Sequence, residues 1–194
     1  MEVETVTTFF ALLAVLGIVF LVAVLVLAII AKARGDLPEG LLPLREGLGS
    51  TALMLGCAVA AVCMFGSLYL SEIAKFPPCQ FCWYQRIAMY PMTLLLGIAA
   101  FRKDSAIKYY TIPLGIIGAG LSTYHYLIER FPDSVAHACT EEVPCSTVWI
   151  WKFHFLSIPA MAGIGFLLIV TLSILATPRV RGDRSITETA DQSA

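Results

Sequence analysis

The sequence predicts an all-α membrane protein: a four-helix transmembrane bundle plus one extra transmembrane helix at its N-terminus. Three observations carry this. Of 194 residues, 58% are hydrophobic and 14% charged, against roughly 45–50% and about 25% in a soluble domain. The charges are absent in blocks, leaving five stretches free of Asp, Glu, Lys and Arg: Thr5 to Ala31, Gly47 to Ser71, Ile87 to Phe101, Tyr109 to Ile128, and Phe153 to Pro178. The basic residues are also sorted between alternate connections. A water-soluble enzyme is excluded by this composition. Nucleic-acid binding is excluded by a net charge of -1, which leaves no basic excess for a phosphate backbone. Six cysteines are too few for a disulfide-stapled secreted scaffold.

The first segment, taken as a helix over 8–31, opens on Met1, Glu2 and Glu4 instead of basic residues. Its apolar run exceeds a signal peptide's h-region of about 7–15 residues, so it reads as a retained membrane helix. Residues 32–50 read as a Gly- and Pro-containing cytoplasmic linker, and 51–176 as the four-helix unit. A spanning helix needs about 20 apolar residues. The stretch from Ile87 to Phe101 is too short, so its helix must begin near Cys79, which carries Arg86 into the membrane. On the fourth helix Thr111, Gly115, Ala119 and Thr123 recur every four residues as a small-residue packing stripe. Trp149, Trp151, Phe153 and Phe155 alternate before the fifth helix as an interfacial anchor. The polar tail, 177–194, receives no predicted structure.

Lys32, Arg34, Arg45, Arg102, Lys103, Lys108, Arg179, Arg181 and Arg184 fall on one side. Lys75, Arg86, Arg130 and Lys152 fall on the other. The richer side is assigned to the cytoplasm. The N-terminus is then outside, the C-terminus inside, and the Cys79 and Cys139 regions both extracytoplasmic, where thiols oxidise.

Cys79-Gln80-Phe81-Cys82 follows Pro77 and Pro78, residues suited to a helix's first turn. The motif therefore opens a helix, where free N–H groups and the dipole stabilise a reactive thiolate. Two cysteines three apart can close a small disulfide ring. Arg86 lies four residues past Cys82 and seven past Cys79, placing all three within about 60° of one helix face, continued by Tyr90. Such an arginine can stabilise a thiolate or donate to a ligand carbonyl; snorkelling to lipid headgroups is the competing reading.

Cys139 and Cys145 lie in a polar loop from Glu129 to Lys152 and are free to form a disulfide. Four thiols also admit zinc, although the second spacing suits a zinc knuckle poorly and leaves Arg86 unexplained. Two static structural disulfides are a further alternative. Cys57 and Cys63 read as buried, inert residues of the second helix. His137 is two residues from Cys139 and reads as a solvated loop residue, His154 belongs to the aromatic segment, and His125 reads as structural unless it shares a site with Arg86.

Pro78-Cys79-Gln80-Phe81-Cys82-Trp83-Tyr84-Gln85-Arg86, then Ile87-Ala88-Met89-Tyr90-Pro91, resembles the disulfide bond formation protein B family of quinone-dependent thiol oxidases. Cys139 to Cys145, ending Val143-Pro144-Cys145, with Ile158-Pro159 beyond, is similar to its short-loop branch in Gram-positive bacteria. The likeness spans roughly Gly49 to Ala176. It implies a bacterial cell (inner) membrane enzyme that reoxidises an extracytoplasmic DsbA-like thioredoxin-fold protein and passes the electrons to ubiquinone or menaquinone. By motif position Cys82 faces the quinone with Cys79 as its disulfide partner, Cys139 is attacked by the partner protein, and Cys145 resolves. Arg86 corresponds to the quinone-side arginine, and His125, seven residues before Pro132, to a quinone-proximal histidine. No resident metal is implied. The first helix departs from the usual four-helix pattern. A vitamin K epoxide reductase-like quinone reductase, in which the loop pair precedes the C-x-x-C, and a non-catalytic scaffold braced by disulfides are the rival readings.

Overall fold

The computed structural model describes residues 3–34, 42–132, 139 and 143–176. His137 and the 177–194 tail lie outside the described residues. Five long helices occur among those described: α1 (Val3–Arg34), α2 (Leu42–Leu68), α3 (Gln80–Arg102), α4 (Lys108–Arg130) and α5 (Ile158–Leu175). The protein is all-helical. Three segments are long and apolar enough to cross a membrane: Val3–Ala33, Thr51–Ile73 and Ile158–Leu175. Residues 35–41 of the expected 32–50 linker lie outside the described residues, and α1 and α2 cover its two ends.

Helices α2, α3, α4 and α5 pack in a ring, each against two neighbours, while α1 lies outside against α5. The central cluster is built from Met92 and Leu96 of α3 and from Phe166 and Ile169 of α5, with Ala60 of α2. On α4 the buried residues are Thr111, Gly115, Gly118, Ser122, His125 and Ile128. The expected strict four-residue stripe is therefore corrected: Thr123 is exposed, since a helix of 3.6 residues per turn keeps one face by alternating steps of three and four. Where α4 meets α5, Thr111 donates to Ser173 at 2.9 Å inside the bundle. Gly118 admits the ring of Phe166 so closely that an added Cβ would stand 2.2 Å from it.

Two turns set up the redox end. Helix α2 ends in a π-turn, Tyr69–Ile73, and Lys75 takes a left-handed conformation at φ 60°. This reverses the chain into Pro77-Pro78. The prolines precede the helix instead of occupying its first turn, because Cys79 is the N-cap of α3. At the opposite end Lys103 caps α3 at φ 56° and Asp104 starts a short 3-10 turn by accepting from Ala106 N at 2.9 Å. The α3–α4 connection is thus tight and holds the two helices antiparallel.

The α4–α5 contact makes a stability prediction. Gly118→Val should destabilise the bundle, by about 1–3 kcal/mol for overpacking. Gly120→Ala, whose Cβ meets nothing within 4 Å, should be neutral or stabilising through helix propensity. Thermal unfolding of the two variants in detergent checks the contrast.

Candidate thiol-disulfide site

Cys79 is placed by its capping role. A cap residue has extended backbone, here φ -76° and ψ 175°, so its side chain turns back over the first helical turn. The Cys79 sulfur accepts from the Cys82 backbone N–H at 3.4 Å and lies 3.0 Å from Cys82 Sγ. Both are free thiols, while Cys139 and Cys145 form a disulfide. Sequence spacing left that second pairing open; the structure closes it.

His125 approaches Cys79 from α4. Its Nε2 lies 3.5 Å from Cys79 Sγ and 3.2 Å from the Cys145 carbonyl oxygen. Its Nδ1 faces the Gln85 side-chain amide nitrogen at 3.1 Å. An amide N–H can only donate, so with Gln85 so oriented Nδ1 accepts and Nε2 carries the proton. That proton points at both the cysteine sulfur and the loop carbonyl. Hydrogen bonding from the Cys82 thiol, with further help from His125 and the Cys82 N–H, overcomes burial and holds Cys79 below a thiol's ordinary range.

The loop disulfide is docked on this centre. Cys79, Phe81, Ile128 and Cys145 form one buried apolar cluster, against which Cys82, Cys139 and Val143 pack. Cys145 is 2% exposed, whereas Cys139 is only half-buried. The loop pair therefore has an inner and an outer sulfur. Glu129, at the end of α4, is also close to this centre. Burial pushes its carboxyl up to about 7, and its Oε2 is buried with no hydrogen-bond partner among the described residues.

Cys82 borders a second environment. It lines an apolar cavity of about 490 Å³ together with Gln85, Arg86, Tyr90 and Trp149. Arg86 crosses to α2, where Nε donates to Ser67 Oγ at 2.9 Å and Nη2 to the Ser67 carbonyl at 3.1 Å. Its guanidinium also lies over the Trp83 ring, 5.1 Å from the centroid. Tyr90 presents a buried hydroxyl with no partner among the described residues. The structure thus brings Cys79, Cys82, Cys139, Cys145 and His125 to one end of the bundle and sets Arg86 on the cavity wall. His125 is not among the cavity-lining residues; it sits on the loop side of Cys79.

Sequence reasoning missed Gln85 and Glu129. The signal for Gln85 was available, since it precedes Arg86 within the motif, but only the fold reveals that it meets His125. Cys57 and Cys63 are half-buried instead of fully buried; Cys57 Sγ reaches the Thr93 carbonyl at 3.7 Å. The disulfide removes Cys139 and Cys145 from any four-thiolate zinc set. Donor atoms of Cys79, Cys82 and His125 do lie within 4.8 Å of one another. The aromatic segment is tied to the bundle by stacking, Trp149 on Phe76 at 5.2 Å and Trp151 on Tyr126 at 6.4 Å. His154 is in a turn at φ 65°.

A four-helix ring carrying a capped C-x-x-C against a loop disulfide defines a membrane thiol-disulfide oxidoreductase. Comparison with known proteins agrees: the family profile of disulfide bond formation protein DsbB matches residues 49–176, and the chain belongs to that family. It is 48% identical to "Disulfide bond formation protein C" of Bacillus subtilis over 128 residues, 66% of this chain and 90% of the relative. It is 45% identical to "Probable disulfide formation protein C 1" of Bacillus anthracis over 132 residues, covering 68% and 95% of the two chains. The corresponding figures for "Probable disulfide formation protein" of Oceanobacillus iheyensis are 42% over 125 residues, 63% and 86%. No solved structure matches significantly. This is a disulfide bond formation membrane protein of the Gram-positive-like branch.

Two measurements probe the centre. In reduced protein the ultraviolet thiolate absorbance of Cys79 should titrate in below a thiol's ordinary range, and His125→Ala should move that inflection upward. Glu129 holds its proton to about pH 7 when folded but releases it near its ordinary 4.5 when unfolded. Its contribution to stability is therefore greatest below pH 4.5 and declines as pH rises towards 7. Glu129→Gln should flatten that part of the stability profile in detergent melts.

Proposed function

We propose that this protein reoxidises an extracytoplasmic DsbA-like thioredoxin-fold protein and delivers the electrons to a membrane quinone. The carrying observation is that, of the two adjacent C-x-x-C sulfurs, Cys79 is buried in the cluster of the loop disulfide while Cys82 alone lines an apolar cavity. In this reading α3 crosses the bilayer from Gln80 onward and α4 along Tyr109 to Ile128, joining the three apolar spans. The N-terminus is outside, with the sorted Lys and Arg supporting that orientation. The ion pair between Glu4 and Lys152 supports it further, since it sets the start of α1 at the same end as the cysteine pairs.

A thiolate of the partner attacks the outer sulfur, Cys139, forming a mixed disulfide and releasing Cys145 thiolate. Cys145 attacks Cys79 in the oxidised C-x-x-C, forming a Cys79–Cys145 bond and freeing Cys82. The partner's second thiol then breaks the mixed disulfide, leaving with its own disulfide and releasing Cys139 thiolate. Cys139 attacks Cys145, restoring the loop disulfide and freeing Cys79. Each step is thiolate exchange, and the net result moves two electrons onto Cys79 and Cys82. His125 Nε2–H stabilises Cys79 when it leaves as a thiolate. The free Cys79 and Cys82 beside an intact Cys139–Cys145 bond correspond to that end point.

The cavity residues suit a quinone. Its walls are almost wholly apolar, Arg86 supplies a fixed cationic donor, and the unpartnered Tyr90 hydroxyl is a second donor. A bound quinone would supply the acceptor for two electrons and two protons as the Cys79–Cys82 disulfide re-forms. Arg86, held by Ser67, orients a carbonyl-bearing ring; Cys82 presents the reacting sulfur; the apolar wall excludes water. The rival order of cysteine pairs in vitamin K epoxide reductase-like proteins is not the order found here. The disulfide-formation family also argues against a passive scaffold.

Purified protein mixed with quinone and a reduced thioredoxin-fold partner should consume quinone absorbance; no loss with any such partner overturns the assignment. Arg86→Ala should raise the KM for quinone roughly tenfold or more, the scale of one lost charge-assisted hydrogen bond, while exchange between the cysteine pairs survives. Cys139→Ser should abolish partner oxidation. Cys145→Ser should likewise stop turnover of the partner, since a lone Cys139 thiol offers the partner no loop disulfide to attack.

A further inference from the structure

Helix α1 lies before residue 49, where the family match begins. The Bacillus subtilis relative has no room for it: its uncovered tenth, beside 128 matched residues, is far shorter than the 32 residues of α1. Yet α1 forms one wall of the cavity that Cys82 and Arg86 line. Its cavity-facing residues run from Phe10 to Phe20, opposite those of α2 from Leu70 back to Leu55. Fifteen residues of α2 correspond to roughly 22 Å of helix. The cavity is therefore an elongated groove, polar at the Arg86 end and apolar from there on.

The α1 wall is closely fitted to the bundle. Phe10 sits against Gly66, where an added Cβ would be 3.0 Å from its ring, and Gly17 meets Leu168 at 2.8 Å on the same measure. Ala11 and Ala14 pack with Leu156 in a buried cluster, and Glu4 is paired with Lys152. Leu16 lines the groove as well, whereas the exposed Leu12, Val19 and Val22 are not among its lining residues.

We propose that α1 completes a channel for the polyprenyl tail of the quinone, so that this chain recognises tail as well as ring. This rests on the quinone reading above and adds a subsite to it. The argument is one of continuity and polarity. The groove begins at the sulfur that delivers electrons and at the fixed guanidinium, which suit a ring with carbonyls. It continues for several helical turns with apolar walls, which suit a hydrocarbon chain attached to that ring. Leu55, Ala58, Val62, Gly17 and Phe20 offer no hydrogen-bonding side chain along that length.

The test uses the full chain in detergent and two probes, a tailless quinone and the same ring carrying a multi-isoprene tail. Binding is read directly by quenching of tryptophan fluorescence, since Trp149 lines the groove and Trp83 adjoins Arg86; KM is read in parallel. The wild type should bind the tailed quinone at least roughly tenfold more tightly than the tailless one. Gly17→Phe, on the α1 wall, should erase most of that advantage. Ala58→Phe fills the groove from α2 at an exposed position and should do the same without disturbing α1 packing. An equal affinity for both probes in the wild type, or a tail advantage retained in both variants, overturns the channel and leaves a lipid acyl chain as the groove's occupant. Failure of the quinone reading looks different: neither probe would quench fluorescence or be reduced.

Discussion

The contact on which the site depends is that between His125 Nε2 and the sulfur of Cys79. It joins α4 to the start of α3, and the same nitrogen reaches the Cys145 carbonyl, so one imidazole ties the loop disulfide to the C-x-x-C. The ring is 3% exposed, and a buried polar ring without partners would cost about 1–3 kcal/mol. All its hydrogen-bonding capacity is used, Gln85 holding the far nitrogen. Fixing the ring this way aims its proton at the Cys79 sulfur.

Much of this was legible in the sequence, for identifiable reasons. Charge-free runs are a direct consequence of the solvent, because an unpaired charge in hydrocarbon is costly; hence the helices could be read from composition alone. The C-x-x-C at a helix start was legible because prolines cannot continue a preceding helix. The proline positions were read one turn too far in, since the cysteine itself caps the helix. His125 was ambiguous for a different reason. Its partners are 40 and 46 residues away, and nothing in periodicity encodes which residues from another helix will face it. Glu129 was hidden similarly, as its raised pKa comes from burial by the packed fold.

The first helix shows how packing can outrun pattern. Its composition announces a membrane span, yet composition is silent on which face meets protein. Gly17, Phe10 and the small residues Ala11 and Ala14 mark the seam, and these are read as such once Leu168, Gly66 and Leu156 lie opposite. The membrane supplies no hydrophobic drive for such docking, so close approach at small residues and polar ties must supply it. Glu4 with Lys152 is one such tie.

Three residues of spacing at a helix start then accomplish what longer spacing would not. Within a regular helix, cysteines three apart are rotated by about 60° and face nearly the same way. Making the first one the cap changes that geometry, because its extended backbone turns the sulfur back towards the loop, where it meets His125 and the Cys145 cluster. The second remains helical and keeps its sulfur on the cavity wall beside Arg86. The two sulfurs stay 3.0 Å apart, close enough to exchange a covalent bond with little backbone movement. One packs in the cluster of the loop disulfide and the other lines an apolar groove. A single turn of polypeptide thus joins a loop disulfide to an apolar groove.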